Sequence, residues 1–289
     1  MDKKIAFVIN PKAGVKKKIN LEEFIKLNFG SSILFDIIIW KDKDDFASVK
    51  NQILNGNYTI AVACGGDGTV NAVAATVVNT NIALGILPLG SGNGLARSNN
   101  IPMDLKKALE VIAKGGIKKI DSGLINGNPF FCTAGVGFDA HIAEKFASST
   151  KRGFSTYFKT TVKEYFSYKP NNYTINVDGT IKHTQAFLIT IANAGQWGNN
   201  VYIAPNATID DGILHVSVLK PFSKLAIPGV TAKLLSKKIH QSNYFESMDG
   251  KNITIQFTGQ LPSHYDGEPL LANEMITISV NPLSLNVVC

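Results

Sequence analysis

The sequence predicts an α/β half followed by an antiparallel, all-β half. Three observations carry this. Up to about residue 120, short β-branched runs alternate with helix-like segments, the pattern of a parallel sheet crossed by helices. Glycine-rich turns follow several of those strand candidates. From residue 117 onward the segments become short, alternating or β-branched, with turns between them, which reads as a sandwich or barrel. The boundary is placed at Asp121, giving an α/β region over 1–121 and a β region over 122–280.

The first strand candidate, residues 5–9, leads straight into Asn10-Pro11 and is too short for the apolar core of a secretion signal. Asn20, with Glu23 three residues on, forms the start signal of a helix over 21–27. Strands follow at 33–39, 59–64 and 83–87, with helices at 45–54 and 70–78 between them. After Pro102, Asp104 caps a helix over 105–113, which Gly115-Gly116 ends. In the second half the strand candidates are 117–124, 130–133, 173–177, 185–192, 213–219, 252–257 and 275–280, and Asp178-Gly179 signals a hairpin. Two helical insertions interrupt them. Phe154, Tyr157, Phe158, Thr161, Val162, Tyr165 and Phe166 recur at helical spacing, either as a helix packed over the sheet or as a wall of an apolar-ligand pocket. The second, 225–239, ends in Lys237-Lys238-Ile239-His240; it reads as a surface helix, with a membrane-interface helix as the alternative.

Composition narrows the class. With 289 residues the chain can bury one large core or two moderate ones, and 45% apolar against 18% charged residues excludes a disordered chain. No window approaches the ~18 consecutive apolar residues of a spanning helix. Cys64, Cys132 and Cys289 are far apart and lack metal-ligand spacing, so buried or free thiols in a reducing cytoplasm are expected. The net charge of +7 comes almost wholly from lysine, Arg97 and Arg152 being the only arginines. Lys16-Lys17-Lys18, Lys118-Lys119 and Lys237-Lys238 suit anionic surfaces, or are simply solvated. The scarcity of arginine argues against base-specific DNA reading, and no nucleic-acid partner is expected.

The chemistry concentrates in a few runs. In Cys64-Gly65-Gly66-Asp67-Gly68-Thr69-Val70-Asn71, three glycines surround one acid between a buried strand and a helix. Such a turn aims N–H groups and a helix dipole at phosphate, while its aspartate suits a metal ion or a hydroxyl proton rather than phosphate itself. A second turn, Gly90-Ser91-Gly92-Asn93-Gly94, follows the fourth strand, and Asn10-Pro11-Lys12-Ala13-Gly14 follows the first. In a parallel sheet, loops at the carboxyl ends of strands gather where ligands bind. A lysine P-loop is absent, so this is a different phosphate cradle. Gly135-Val136-Gly137-Phe138-Asp139-Ala140 lies in the antiparallel half, which argues against a dinucleotide fingerprint there. In Asp266-Gly267-Glu268 two carboxylates flank one glycine, either as a turn or as a pair for metal and proton work.

Taken in order, these motifs resemble the diacylglycerol kinase catalytic-domain family, which includes sphingosine and ceramide kinases and soluble bacterial lipid kinases. The resemblance runs through Asn10-Pro11 with Gly14, the two glycine-rich turns, Gly135-Val136-Gly137-Phe138-Asp139, Ala204-Pro205-Asn206-Ala207 with Asp211-Gly212, and Asp266-Gly267-Glu268. The first turn alone is shared with NAD kinases and phosphofructokinases; the later motifs select the lipid-kinase branch. The resemblance implies a Rossmann-like nucleotide-binding domain and a C-terminal antiparallel β-sandwich, with the active site in the cleft between them and residues 281–289 returning to the first domain. It implies ATP and Mg²⁺ as cofactors, with nucleotide held by Asn10, Gly65, Gly66, Asp67, Gly68, Thr69, Gly90, Ser91, Gly92 and Asn93. Asp266 is implied as base, Glu268 on the catalytic Mg²⁺ side, Asp67 as the acid nearest the acceptor in some relatives, and Asp139 as a substrate residue. A structural Mg²⁺ is implied on Asp211 and the backbone of Thr208 and Ile213. The partner is then a lipid at an anionic membrane surface, reached peripherally from the cytoplasm, and a homodimer is compatible with it. Departures from the pattern are Ala72 where Glu is common, Gly94 where many bacterial relatives carry Asp, Trp40 for a frequent Thr, and Trp197-Gly198-Asn199-Asn200 for a triple glycine.

The expected reaction is in-line transfer of the ATP γ-phosphoryl to a lipid hydroxyl, for which positioning and charge neutralisation do most of the work. The alternatives are a soluble-metabolite kinase of the NAD kinase or phosphofructokinase type, and a non-catalytic lipid-binding protein.

Overall fold

The computed structural model describes residues 3–11, 20–29, 33–147, 160–161 and 163–289. The chain divides into two compact units, Met1–Ile120 with Leu283–Cys289, and Asp121–Pro282.

The first unit is built on β1 (Lys4–Ile9), β2 (Leu34–Ile39), β3 (Ile60–Gly65) and β4 (Ala83–Pro88), all parallel, in the order β2-β1-β3-β4. Helices α1 (Leu21–Asn28), α2 (Phe46–Asn55) and α3 (Asp67–Val77) make the crossovers, followed by a short α4 (Gly94–Ser98) and α5 (Leu105–Lys114). Every residue of β3 and β4 is buried, as expected of parallel strands covered on both faces. The predicted caps form: Asn20 Oδ1 accepts the Glu23 N–H at 3.3 Å, and Asp104 Oδ1 accepts that of Lys107 at 3.0 Å. The step from β1 to β2 runs one way along the sheet, and the step from β2 to β3 crosses back over β1. The carboxyl ends of β1 and β3 therefore flank the point where strand order reverses, the usual ligand crevice of open α/β sheets.

The second unit is antiparallel. Its strands are β5 (Ile117–Ile125, starting in the first unit), β6 (Asn128–Phe130), β7 (Thr133–Gly137), β8 (Asn171–Val177), β9 (Thr180–Ala186), β10 (Leu188–Ala192), β11 (Leu214–Leu219), β12 (Phe245–Gly250), β13 (Asn252–Tyr265) and β14 (Glu268–Val288, ending in the first unit). The order β12-β11-β10-β7-β13-β14 is supplemented by β8 on β13 and β9 on β8. Asn126-Gly127, Asp178-Gly179 and Asp266-Gly267 all have φ between +47° and +93°. These are the two-residue turns whose twist suits a hairpin, so the one predicted at Asp178-Gly179 has two companions. A register shift between Gln256 and Gln260, with Gly259 at φ +76°, bends β13 so that its first half pairs with β8 and its second with β7. Ile175, Ile189, Ile191, Val216, Ile255 and Ile276, all fully buried, centre the core.

The α/β-plus-β class follows the sequence reading; several boundaries do not. Helix α3 starts at Asp67 rather than at residue 70, because the Gly-Gly-Asp turn itself enters the helix. Residues 185–192 form two strands, not one, broken at Phe187, whose ring joins a second core with Phe138, Tyr165, Tyr168 and Phe222. Segments 252–257 and 275–280 are parts of the much longer β13 and β14. Strand β12 and helix α6 (Phe138–Ala147) carry no periodicity clear enough to read. Segment 225–239 is not one helix: a 3-10 turn (Lys224–Ala226) leads into the shorter α7 (Ile227–Leu235), which has Pro228 in its first turn and Lys237 at φ +61° beyond its end. Of the aromatic stripe, Phe154, Tyr157, Phe158 and Val162 lie outside the described residues; Tyr165 packs into the second core, and Phe166 is 60% exposed.

Candidate active site

In the first unit the two glycine-rich turns touch each other. A Cβ on Gly90 would lie 2.7 Å from the Gly66 Cα, and one on Gly92 would lie 2.7 Å from Asp67 Oδ2. Only glycine fits this approach. Asp67 ties the turns together: Oδ2 accepts the Asn93 N–H at 3.0 Å and Oδ1 the Gly94 N–H at 2.7 Å. Asn93, at φ +52°, closes its own loop by accepting from Gly90 N and donating to Gly90 O, at 3.0 and 2.8 Å. Arg97 Nε donates to Gly92 O. From the end of β1, Asn10 Nδ2 donates to Thr69 Oγ1 at 3.3 Å. Gly66 caps α3 without a side-chain acceptor, so the helix start is left with the N–H groups and positive dipole end that favour an anion. Asn10, Gly65, Gly66, Asp67, Gly68, Thr69, Gly90, Ser91, Gly92 and Asn93 thus form one neighbourhood at the strand-order switch. Lys12 and Gly14 lie outside the described residues. Behind the turn, burial pushes the Cys64 thiol far up, which leaves it inert.

In the second unit, Asp266 occupies the β13–β14 turn at φ +47°. Its Oδ2 accepts the Phe131 N–H at 2.8 Å, its Oδ1 those of Cys132 and Thr133 at 2.8 and 2.9 Å, and its own N–H donates to Thr133 O. Three donors fix this carboxylate in place. Glu268 is half-buried and paired in register with Tyr265, and its side chain makes no hydrogen bond to a described residue. Burial raises the Tyr265 phenol, and the charges of Glu268 and Asp266 add to that.

Asp139, at the start of α6, is 9% exposed. Its Oδ2 accepts the Thr190 hydroxyl at 2.7 Å and lies 3.2 Å from His264 Nε2, while its Oδ1 accepts the Ala140 N–H. His264, 3% exposed, leaves Nδ1 buried without a hydrogen-bond partner. The sequence signal for this pair was hidden: His264 stands beside the Asp-Gly-Glu run, but its partner is 125 residues away. Beside α6, a cavity of about 300 Å³ is lined by His141, Glu164, Tyr168, Tyr173, Leu261 and Pro262 among others. Burial pushes the Tyr168 phenol up to about 12, and the hydrogen bond from His141 holds Glu164 low.

The loop implied to hold a structural cation has another arrangement of donors. Asp211 Oδ2 accepts the Thr208 hydroxyl, Oδ1 accepts the Ile213 N–H at 3.1 Å, and His215 Nε2 stands 3.5 Å from Oδ2. His215 Nδ1 meets Asp249 at 2.8 Å, and buried Asp121 accepts the Gly212 N–H at 2.7 Å. Among the described residues no three of His, Cys, Asp and Glu gather as a metal site. So arranged, both oxygens of Asp211 accept hydrogen bonds from within the loop. Of the sequence departures, Gly94 supplies an N–H to Asp67, and Trp40 packs against Phe46 with the rings tilted and centroids 4.7 Å apart, and donates to Asp42 O.

The diacylglycerol kinase catalytic domain family matches residues 4–125, and the YegS C-terminal NAD kinase beta sandwich-like domain matches residues 132–289. A probable lipid kinase YegS-like protein of Klebsiella pneumoniae is 29% identical over 257 residues, covering 86% of this chain and 84% of the relative. A putative diacylglycerol kinase from Bacillus anthracis superposes with a TM-score of 0.80 at 21% identity, over 99% of this chain and 95% of that one. An NAD kinase from Archaeoglobus fulgidus in complex with ATP superposes at 0.53 and 13% identity, over 99% and 93%. At these identities the two superpositions speak for the fold alone. With both family matches together spanning nearly its whole length, the chain belongs to the diacylglycerol kinase catalytic-domain family of lipid kinases, with a C-terminal domain of the YegS type.

Proposed function

We propose that this protein transfers the γ-phosphoryl group of Mg·ATP to the hydroxyl of a lipid of the diacylglycerol or sphingoid class. The observation that carries the reading is the joined pair of glycine turns: an α3 start without a side-chain cap, at the strand-order switch, faced by Asn10. That is a phosphate cradle, and its backbone donors suit the charge that spreads over the transferring group. Asn10, Gly65, Gly66, Gly68, Thr69, Gly90, Ser91, Gly92 and Asn93 hold the nucleotide in this reading. Asp67 acts first by holding the second turn against the first, and through that by shaping the cradle.

The acceptor hydroxyl attacks phosphorus, the bond to the ADP oxygen breaks, and the hydroxyl proton passes to a carboxylate. Asp266 takes that role here, oriented by its three backbone donors. In a loose transition state the proton leaves late, so orientation of the acceptor carboxylate matters more than its basicity. Glu268 serves the metal ion that arrives with ATP, and Asp139 helps to position the acceptor. A loss of about 100-fold or more in kcat is expected for Asp266→Asn. The assay is label transfer from γ-³²P-ATP to a panel of lipids in mixed micelles, with NAD as a soluble acceptor. Transfer to NAD with none to any lipid overturns the lipid reading in favour of a metabolite kinase. Wild-type rates in Asp266→Asn and Glu268→Gln overturn the residue roles.

A further inference from the structure

Between β11 and β12, residues 220–244 contain Lys220, Lys224, Lys233, Lys237 and Lys238 and no Asp or Glu. Lys220 is neutralised by Glu246 at 2.5 Å, and Lys233 donates to Gln241 O at 2.8 Å. Lys224 stands 4.8 Å over the Phe166 ring and Lys237 4.4 Å over that of Tyr202, and Lys238 is exposed. Within this basic segment, α7 has two apolar sides. Ala226, Val230 and Leu234 pack inward, Val230 being 5% exposed. Leu225, in the 3-10 turn that leads into α7, and Pro228, Ala232 and Leu235 on the helix itself are exposed, Leu225 at 93% and Leu235 at 55%. Phe166, 60% exposed and capped by Lys224, extends the patch.

Single exposed leucines are ordinary on a protein surface. Leu225, Leu235 and Phe166 exposed together among lysines, with no acid in residues 220–244, are not. Protein–protein interfaces are depleted in lysine, whereas helices lying in a bilayer interface combine lysine with leucine and phenylalanine. We propose that this face docks on an anionic bilayer, with Leu225, Leu235 and Phe166 at the acyl boundary and Lys224, Lys237 and Lys238 against headgroup phosphates. The inference rests on the lipid-kinase reading and deepens it, because it names the surface by which a water-exposed enzyme reaches a bilayer-borne acceptor.

The test is sedimentation of the full chain, without ATP, with vesicles of phosphatidylglycerol and phosphatidylcholine or of phosphatidylcholine alone. Binding is expected only to the anionic vesicles and is expected to fall with added salt. A Leu225→Ser/Leu235→Ser variant and a Lys224→Gln/Lys237→Gln/Lys238→Gln variant should each bind about tenfold more weakly or worse. The charge-matched control Lys106→Gln/Lys107→Gln/Lys119→Gln should bind as wild type. Equal weakening in the control, equal binding to neutral vesicles, or no vesicle binding by the wild type overturns the docking face. Transfer to a monomeric short-chain diacylglycerol separates the two ideas. Variants that lose turnover on vesicles but keep it on the soluble lipid support docking. Docking by this face, with no lipid phosphorylated in either form, leaves docking standing and overturns the kinase reading.

Discussion

Gly90 and Gly66 approach so closely that a single methyl group between them has nowhere to go but into backbone. Gly90→Ala should therefore push the turns apart, lowering stability by about 1–3 kcal/mol in denaturant melts and weakening nucleotide binding. Asp67→Asn is the subtler case. The amide fits the space, but it turns a donor toward the Asn93 or Gly94 N–H where an oxygen stood, leaving a part-buried N–H unsatisfied at a cost of about 1 kcal/mol. A fall in melting temperature is expected beside any fall in turnover, so rate loss alone does not assign Asp67 to the chemistry. The sequence made these glycines and this acid conspicuous. It did not show what the acid holds, because Asn93 and Gly94 become its neighbours only when β3 and β4 lie side by side. The Asp139–His264 contact was illegible for the same reason, joining a helix start to the far end of a strand.

At the scale of elements, local signals were read well where they are self-contained. The Asn20 and Asp104 caps and the Asp178-Gly179 turn depend on residues two or three apart. The lengths of β13 and β14 depend on a bulge and on partners elsewhere, and polar positions such as Gln256 and Gln260 disguise their continuity. Glu246 on β12 shows how cross-strand chemistry adds to such elements: hydrogen bonds from Lys182 on β9 and Lys220 after β11 hold its carboxyl below the ordinary range. A carboxyl depressed by folding stabilises the folded chain above its unfolded pKa, near ~4.3, and that contribution is lost as pH falls through the lower folded value. Glu246→Gln should thus lower stability at neutral pH by at most about 1 kcal/mol, its partners being partly solvated. The deficit should vanish once the pH is below the folded value. Thermal melts across an acid series measure it.

For the molecule as a whole, the class of each half was legible because periodicity changes from helix-and-strand to strand alone near Asp121. The membership of the last residues was not legible from pattern. Leu285, Val287 and Val288 are 0–1% exposed and lie in the first unit, where Val287 pairs with Leu84 of β4. Asn79 N donates to Ser284 O at 2.8 Å, and Cys289 N to Gly116 O at 3.0 Å. Each of those buried side chains is worth about 2 kcal/mol, so removing residues 283–289 should cost most of a typical domain's stability. Loss of soluble protein on expression checks it.

That closing strand also sets a schedule. As the chain leaves the ribosome, β4 of the first unit must wait with one edge unpaired while every strand of the second unit is made. An open parallel edge is a template for wrong partners. The stretch that shields it is translated after everything else described here, so a nascent chain stalled anywhere between β4 and Leu283 would carry an unguarded sheet, and the wait is longest for the very unit proposed to grip the nucleotide.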